Sequence, residues 1–210
     1  MRYLWLTTLL ISLVLPISSA QVDPAKLAAR DFHQGILIAC DPYQDAERAK
    51  KSLGKDNPLK AGILPIEVYV HNTTAWPVAI TLHSIRLEVG IPGQGHQDLQ
   101  PLGPGDVATA ILHPKQRNLE APRPRLPVPI PGMGGGGKKW QKLHDKLEEA
   151  SFQTGIVAPG STVHGFFYFD LAKQYNLLKY ARFYVPDLKF LGHEQAIMFF
   201  EVNLAPTATP

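Results

Sequence analysis

The residues with most scope for chemistry in this chain are eight histidines: His33, His71, His83, His96, His113, His144, His164 and His193. Neutral imidazole is a common ligand for zinc, copper and iron. Yet none of the eight pair as His-x-His or fall in a His-Glu-x-x-His arrangement, and three methionines offer little to a soft copper site. His71 and His164 are the pair placed to meet, because both occupy the outward phase of what read as central strands, where neighbouring strands bring side chains together. Solvated surface histidines are the competing reading. Asp41, Asp45 and Glu47 lie close in sequence, but a calcium loop needs oxygen ligands at alternate positions around a central glycine. Turn and helix-start roles suit them better.

Nucleophile and phosphate chemistry find less support. The Gly-x-Ser-x-Gly elbow of many serine hydrolases is absent, and Ser161 falls in Pro159-Gly160-Ser161-Thr162, which reads as a turn between strands. Gly136-Gly137-Lys138-Lys139-Trp140 shares glycine and lysine with a phosphate-binding loop, but lacks the hydroxyl residue after the lysine and a hydrophobic strand before it. No cofactor is expected, and no catalytic or metal-ligating residue is assigned. Cys40 is the single cysteine, so no intramolecular disulfide forms. Leu37-Ile38-Ala39-Cys40 has the form of a lipoprotein cleavage box, but the charged stretch from Asp23 to Asp31 separates it from the apolar N-terminus. Cys40 is therefore expected as the buried end of a short strand.

The 21 basic and 18 acidic residues nearly balance, which names no partner and gives no expectation of nucleic-acid binding. Their distribution says more. Between Lys115 and Lys142 the charges are Lys115, Arg117, Arg123, Arg125, Lys138, Lys139 and Lys142, opposed only by Glu120. Leu126, Val128, Ile130, Met133 and Trp140 lie among them, an arrangement suited to an anionic membrane surface or a polyanionic envelope polymer. A solvated insertion kept soluble by its lysines is the alternative.

The elements that must position these residues begin after a leader. Arg2, the apolar run Tyr3 to Leu15, Pro16 and the small residues Ser18-Ser19-Ala20 form a secretory signal peptide pattern covering residues 1–20, with Gln21 as the expected first mature residue. Residues 21–204 read as one domain of ordinary globular composition. Gly35 to Ala39 reads as a first strand, and Asp45 to Lys55 as a short helix ended by Gly54. Ile63 to His71 alternates with period two, one face buried. Val78, Ile80 and Leu82 alternate, and Ile85, Leu87 and Val89 continue out of phase, which implies a bulge or a strand crossing between sheets. Asp106 is expected to cap a helix through His113. An insertion over about 114–152 follows, proline-rich from Pro122 to Pro131 and glycine-rich from Gly134 to Gly137, with no packed core expected. It ends in a helix from Lys138 carrying Trp140, Leu143, Leu147 and Ala150 on one side. That helix has its charges reversed for the dipole and so needs something to dock on. Strands follow at Val163 to Phe169, Tyr180 to Val185 and Ala196 to Leu204, then a disordered tail over 205–210.

Six or seven short strands separated by turns predict a mainly β fold, an antiparallel immunoglobulin-like β-sandwich carrying a Pro/Gly-rich, partly helical insertion. Asn72-Thr73-Thr74 between two strands is also an N-glycosylation sequon, with meaning only in a eukaryotic source. Gly62-Ile63-Leu64-Pro65 entering a strand, then Asn72, Pro77 and Ile85-Arg86-Leu87, resembles the first hairpin of bacterial exported immunoglobulin-like domains of unknown function. Pro159-Gly160 leading into Gly165-Phe166-Phe167-Tyr168-Phe169 extends the resemblance, which covers Ile36 to Gly90 and Gly155 to Leu204. It implies a fold and no activity. The functional expectation is a non-catalytic exported envelope module, periplasmic or extracellular, binding a protein or cell-surface component. Attachment to an anionic membrane or polymer through residues 115–142 is the second reading, and an enzyme or metal-binding protein with a site hidden from sequence is the third.

Overall fold

The computed structural model describes residues 22–91, 93, 95–114 and 137–205. The segment read as a leader, most of the Pro/Gly-rich segment and the end of the chain lie outside them. The chain is mainly β, with three antiparallel sheets and few helices. One four-stranded sheet has the order β1 (Ala29–His33), β2 (Ile36–Pro42), β3 (Ile63–Asn72), β8 (Thr162–Asp170). A second runs β11 (Phe200–Asn203), β9 (Ala181–Val185), β5 (Arg86–Ile91), β6 (Gly95–Leu99). A small third holds β10 (Leu188–Phe190), β4 (Val78–Ile80) and β7 (Ile156–Val157).

Alternation sets the core. Ile38 and Cys40 of β2, Ile66, Val68 and Val70 of β3 and Phe167 of β8 point inward, where Ile80, Ile85, Phe183 and Val185 meet them. The void left among these side chains is only ≈10 Å³, so the layers interdigitate at ordinary protein density. This arrangement fits a β-sandwich. The phase slip at His83-Ser84 is the crossing between sheets: β4 belongs to the small sheet, a 3-10 turn spans Leu82–Ser84, and β5 continues in the second sheet. Cys40 is 2% exposed, with β1 and β3 on either side of it. Burial, and then the charge of Asp41, push its thiol pKa well up.

Several sequence expectations need correction. The run from Ile36 is the second strand; β1 precedes it through a two-residue turn in which Gln34 and Gly35 both have positive φ, +49° and +78°, as a type I′ hairpin requires. β3 is buried on both faces, because Glu67 and Tyr69 on its outer side are covered as well. Asp106 lies in the first turn of α2 (Pro104–Leu112), whose N-cap is Gly103. Short strands β1, β6, β7 and β10 were not foreseen.

Helix α1 (Ala46–Leu53) is capped by Asp45, whose carboxylate accepts from the Arg48 backbone N–H at 2.7 Å, and ends at Gly54. Helix α3 (Lys138–Ala150) docks on α2 and buries Leu143 and Leu147 in the core, while the Tyr168 hydroxyl donates to the Leu147 carbonyl at 3.3 Å. The helical end of the expected insertion is therefore part of the body. Past it, Ser151 and Phe152 cover the outer edge of β8, with the Phe152 N–H donating to the Phe166 carbonyl at 3.1 Å. No helix among the described residues is long and apolar enough to cross a membrane.

Candidate functional site

Of the basic residues singled out from sequence, Lys115, Arg117, Arg123 and Arg125 lie outside the described residues. Lys138, Lys139, Trp140 and Lys142 occupy the first two turns of α3. Lys138, Lys139 and Lys142 are exposed, and Lys139 pairs with Asp56 at 3.7 Å. Trp140 does not stand out among them as an apolar contact. Its indole N–H donates to Thr109 Oγ1 on α2 at 3.1 Å and its ring stacks on His144 with centroids 4.9 Å apart, so it serves the α2–α3 packing.

The lysines of α3 face the end of α1 across a cleft of ≈310 Å³ lined by Leu53, Gly54, Lys55, Asp56, Lys139, Lys142, Leu143 and Lys146. Local structure builds it. Gly54 terminates α1 at φ +85°, and a Cβ there would come within 2.8 Å of Lys146 Nζ. That ammonium donates to the Leu53 carbonyl at 2.7 Å, supplying a cation to the negative end of the α1 dipole. Asn57, buried, donates from its side chain to the Gly54 carbonyl at 3.2 Å and fixes the intervening turn. Lys55, Lys139, Lys142 and Lys146 thus surround one space with Asp56 as the only acid in its lining among the described residues. Such a space attracts anions. Sequence reading placed Lys139 and Lys142 but missed Lys146, Lys55 and the cleft itself. The signal for Lys146 was its spacing, since 139, 142 and 146 fall on one helical face.

The histidine pair behaves otherwise than a metal site requires. His164 Nδ1 lies 3.1 Å from Glu67 Oε1 and its ring stacks on Tyr69, while His71 Nδ1 lies 2.8 Å from Thr162 Oγ1. Glu67 is 9% exposed and also accepts from the Tyr43 hydroxyl at 2.7 Å. Burial first, and then the Glu67 carboxylate, raise the pKa values of both Tyr43 and Tyr69, so both phenols stay protonated. Arg48 closes the group. It donates through two guanidinium nitrogens to Asp41 and lies 4.1 Å from the Tyr43 ring centroid, and the bond to Asp41 raises its pKa further. This network ties α1 to the outer face of the first sheet. Ser161 is likewise committed, its hydroxyl donating to the Ala158 carbonyl at 2.7 Å within the predicted turn.

Two other groups bring metal-type donors together. Glu88, His96 and Asp98 meet on one face of the β5–β6 hairpin, but Arg86 Nε sits 3.0 Å from Glu88 and 3.3 Å from Asp98, and His96 Nε2 is 2.8 Å from Asp98. The arginine is shared between the two carboxylates, so the set reads as an ion-pair cluster. His144, Asp145 and Glu148 meet on α3, the two acids exposed and His144 held by its stacking on Trp140 beside Gly105 of α2. Among the described residues, the lysine cleft is the arrangement whose charge is left least compensated. Compared with known proteins, the chain matches no family model, no curated protein and no solved structure.

Proposed function

We propose that this chain is a non-catalytic module of the cell envelope, exported through its N-terminal signal peptide, that binds an anionic component of its surroundings through the cleft between α1 and α3. One observation carries the reading: among the described residues, Lys55, Lys139, Lys142 and Lys146 line a single cleft with Asp56 as its one acid. Cys40, Tyr43, Tyr69 and Tyr168, whose proton affinity burial alters, are built into the packing, Arg48 is paired with Asp41, and all five lie outside that cleft, which favours binding over turnover. Cleavage after Ala20 rather than before Cys40 is supported by β1, which precedes Cys40 and pairs along β2 from Ala29↔Cys40 to His33↔Ile36. An immunoglobulin-like arrangement belongs to the same reading, supported by the antiparallel run β2–β3–β8 and by the crossing from β4 to β5 between sheets. Insertion of Trp140 into a membrane is disfavoured by its packing on α2.

The test is a titration of the mature chain with inorganic pyrophosphate at low salt, followed through the backbone amide resonances of Lys55, Lys142 and Leu143. Saturable shifts that disappear at high salt, and at least tenfold weaker binding by the double variant Lys55→Glu/Lys142→Glu with an unchanged melting temperature, are the expected results. Absence of any salt-sensitive shift at these amides would overturn the reading.

A further inference from the structure

A second cleft, of ≈460 Å³, opens on the other side of the 54–57 turn. Lys50, Lys55 and Lys60 line it, with Glu47 as its acid and the rim completed by Asn57, Leu59 and Tyr175. Lys55 lines both clefts. The two spaces are therefore adjacent, and together they present Lys50, Lys55, Lys60, Lys139, Lys142 and Lys146 against Glu47 and Asp56. Lys50 pairs with Glu47 at 3.6 Å and Lys139 with Asp56 at 3.7 Å, both loose and exposed, and Lys146 holds the end of α1. Lys55, Lys60 and Lys142 form no ion pair among the described residues, and one of the three lies in each cleft with Lys55 between them.

We infer that the ligand of this surface is a linear, phosphate-rich polyanion that runs across both clefts over Lys55. The inference rests on the reading of the first cleft as an anion site and goes beyond it in naming the ligand's shape. A small anion would be satisfied by the first cleft and would leave Lys50 and Lys60 of the second unused. A chain of regularly spaced charges engages both, its second contact being made at the effective concentration set by the first. Phosphate suits this surface because lysine binds it as a point charge without the bidentate fork of arginine, and among the described residues no arginine lines either cleft. Base stacking has little to offer a nucleic acid: among the described residues Tyr175 is the one aromatic residue lining either cleft, and its hydroxyl is committed to the Leu59 carbonyl at 2.8 Å.

The experiment compares pyrophosphate, long-chain polyphosphate, polygalacturonate and oligothymidylate on the mature chain, with affinities expressed per charge. Long-chain polyphosphate is expected to bind about 100-fold more tightly than pyrophosphate and to shift amides around Lys60 as well as Lys142. Lys60→Glu, on an exposed turn of the far cleft, should remove about tenfold of the polyphosphate affinity while leaving the pyrophosphate shifts at Lys142 and Leu143 unchanged. Equal per-charge affinity for pyrophosphate and polyphosphate, or indifference of polyphosphate binding to Lys60→Glu, would overturn the inference and leave the single-cleft reading standing. Binding of neither would remove both. Tighter binding of polygalacturonate or oligothymidylate than of polyphosphate would overturn the phosphate assignment.

Discussion

Asn72 gives the sharpest test of the fold. It ends β3, is 0% exposed, and uses every hydrogen-bonding valence of its amide. Its Nδ2 donates to the Trp76 carbonyl at 2.8 Å and the Val157 carbonyl at 3.1 Å. Its Oδ1 accepts from the Thr74 N–H at 3.0 Å and the Thr74 hydroxyl at 2.7 Å. One side chain thus closes the turn after β3 and ties it to β7 of another sheet. Asn72→Ala removes four bonds and leaves a buried carbonyl on Val157 short of a partner. With a net value of about 1 kcal/mol for each of the four hydrogen bonds, the loss is about 4 kcal/mol. That is a large share of the about 5–15 kcal/mol that a domain has in total.

Asn72→Asp should cost at least as much, because a carboxylate oxygen then faces two carbonyl oxygens in place of a donor and carries a buried charge. Urea unfolding at neutral pH measures both variants. Thr73→Ala is the internal comparison: its hydroxyl donates to the Gly35 carbonyl at 2.7 Å from an exposed position, so about 1 kcal/mol is expected there. A loss below about 1 kcal/mol for Asn72→Ala would refute the reasoning, since no relaxed water-mediated substitute should match four direct bonds. The same geometry decides the sequon. A nitrogen that donates to two carbonyls from a fully buried site cannot carry a glycan in the folded chain, so expression in a glycosylating host should yield folded protein unmodified at Asn72.

Three further outcomes follow from other parts of the structure. Gly165→Ala should destabilise by about 1–3 kcal/mol in thermal unfolding, because a Cβ there would lie 2.6 Å from Phe152 N and 2.5 Å from its Cα, backbone atoms bonded along the β8 edge. Leu147→Ala, at 2% exposure in the core, should cost about 3 kcal/mol and lower the denaturation midpoint without changing the far-UV spectrum of the native state. Burial raises the pKa values of Cys40, Tyr43, Tyr69 and Tyr168, so the folded state favours their protonated forms. The resulting stability is fully present below the unfolded values, about 8.5 for Cys and about 10 for Tyr, and is lost as pH rises above them. Melting temperature should fall above about pH 9, and Tyr69→Phe/Tyr168→Phe should flatten the fall above about pH 10.

The long alternations were legible because each carries its own register. Val68 and Phe167 fall on the alternating phases of the strands read at Ile63 to His71 and Val163 to Phe169, and they lie in the core at 1% and 7% exposure. The phase slip at His83-Ser84 likewise announced a change of sheet. Strands β6, β7 and β10 were not legible, since five residues or fewer, mostly exposed in β6, carry too little pattern to separate from loop. β1 was missed for a related reason: Ala29-Arg30-Asp31-Phe32-His33 is an edge strand whose ends and alternate side chains are part exposed, and Gln34-Gly35 is a weaker hairpin signal than Asn-Gly.

The site was half legible, and the missing half has a physical cause. Lysines at 139, 142 and 146 define one face of α3 whatever the rest of the chain does, because helical spacing is local. What that face meets depends on where α3 docks. Leu143 and Leu147 press into the core, and the far ends of the flanking lysines then fall over Gly54 and Asp56, residues more than eighty positions earlier. The reversed charges of α3 already said that the helix needs an external partner. Part of that partner is the carboxyl end of another helix: Lys146, unable to satisfy the end of its own helix from its position, satisfies Leu53 of α1 instead. Docking that relieves α1 in this way also concentrates positive charge at the junction, and the anion-attracting cleft is the consequence of the same contact that makes the two helices compatible.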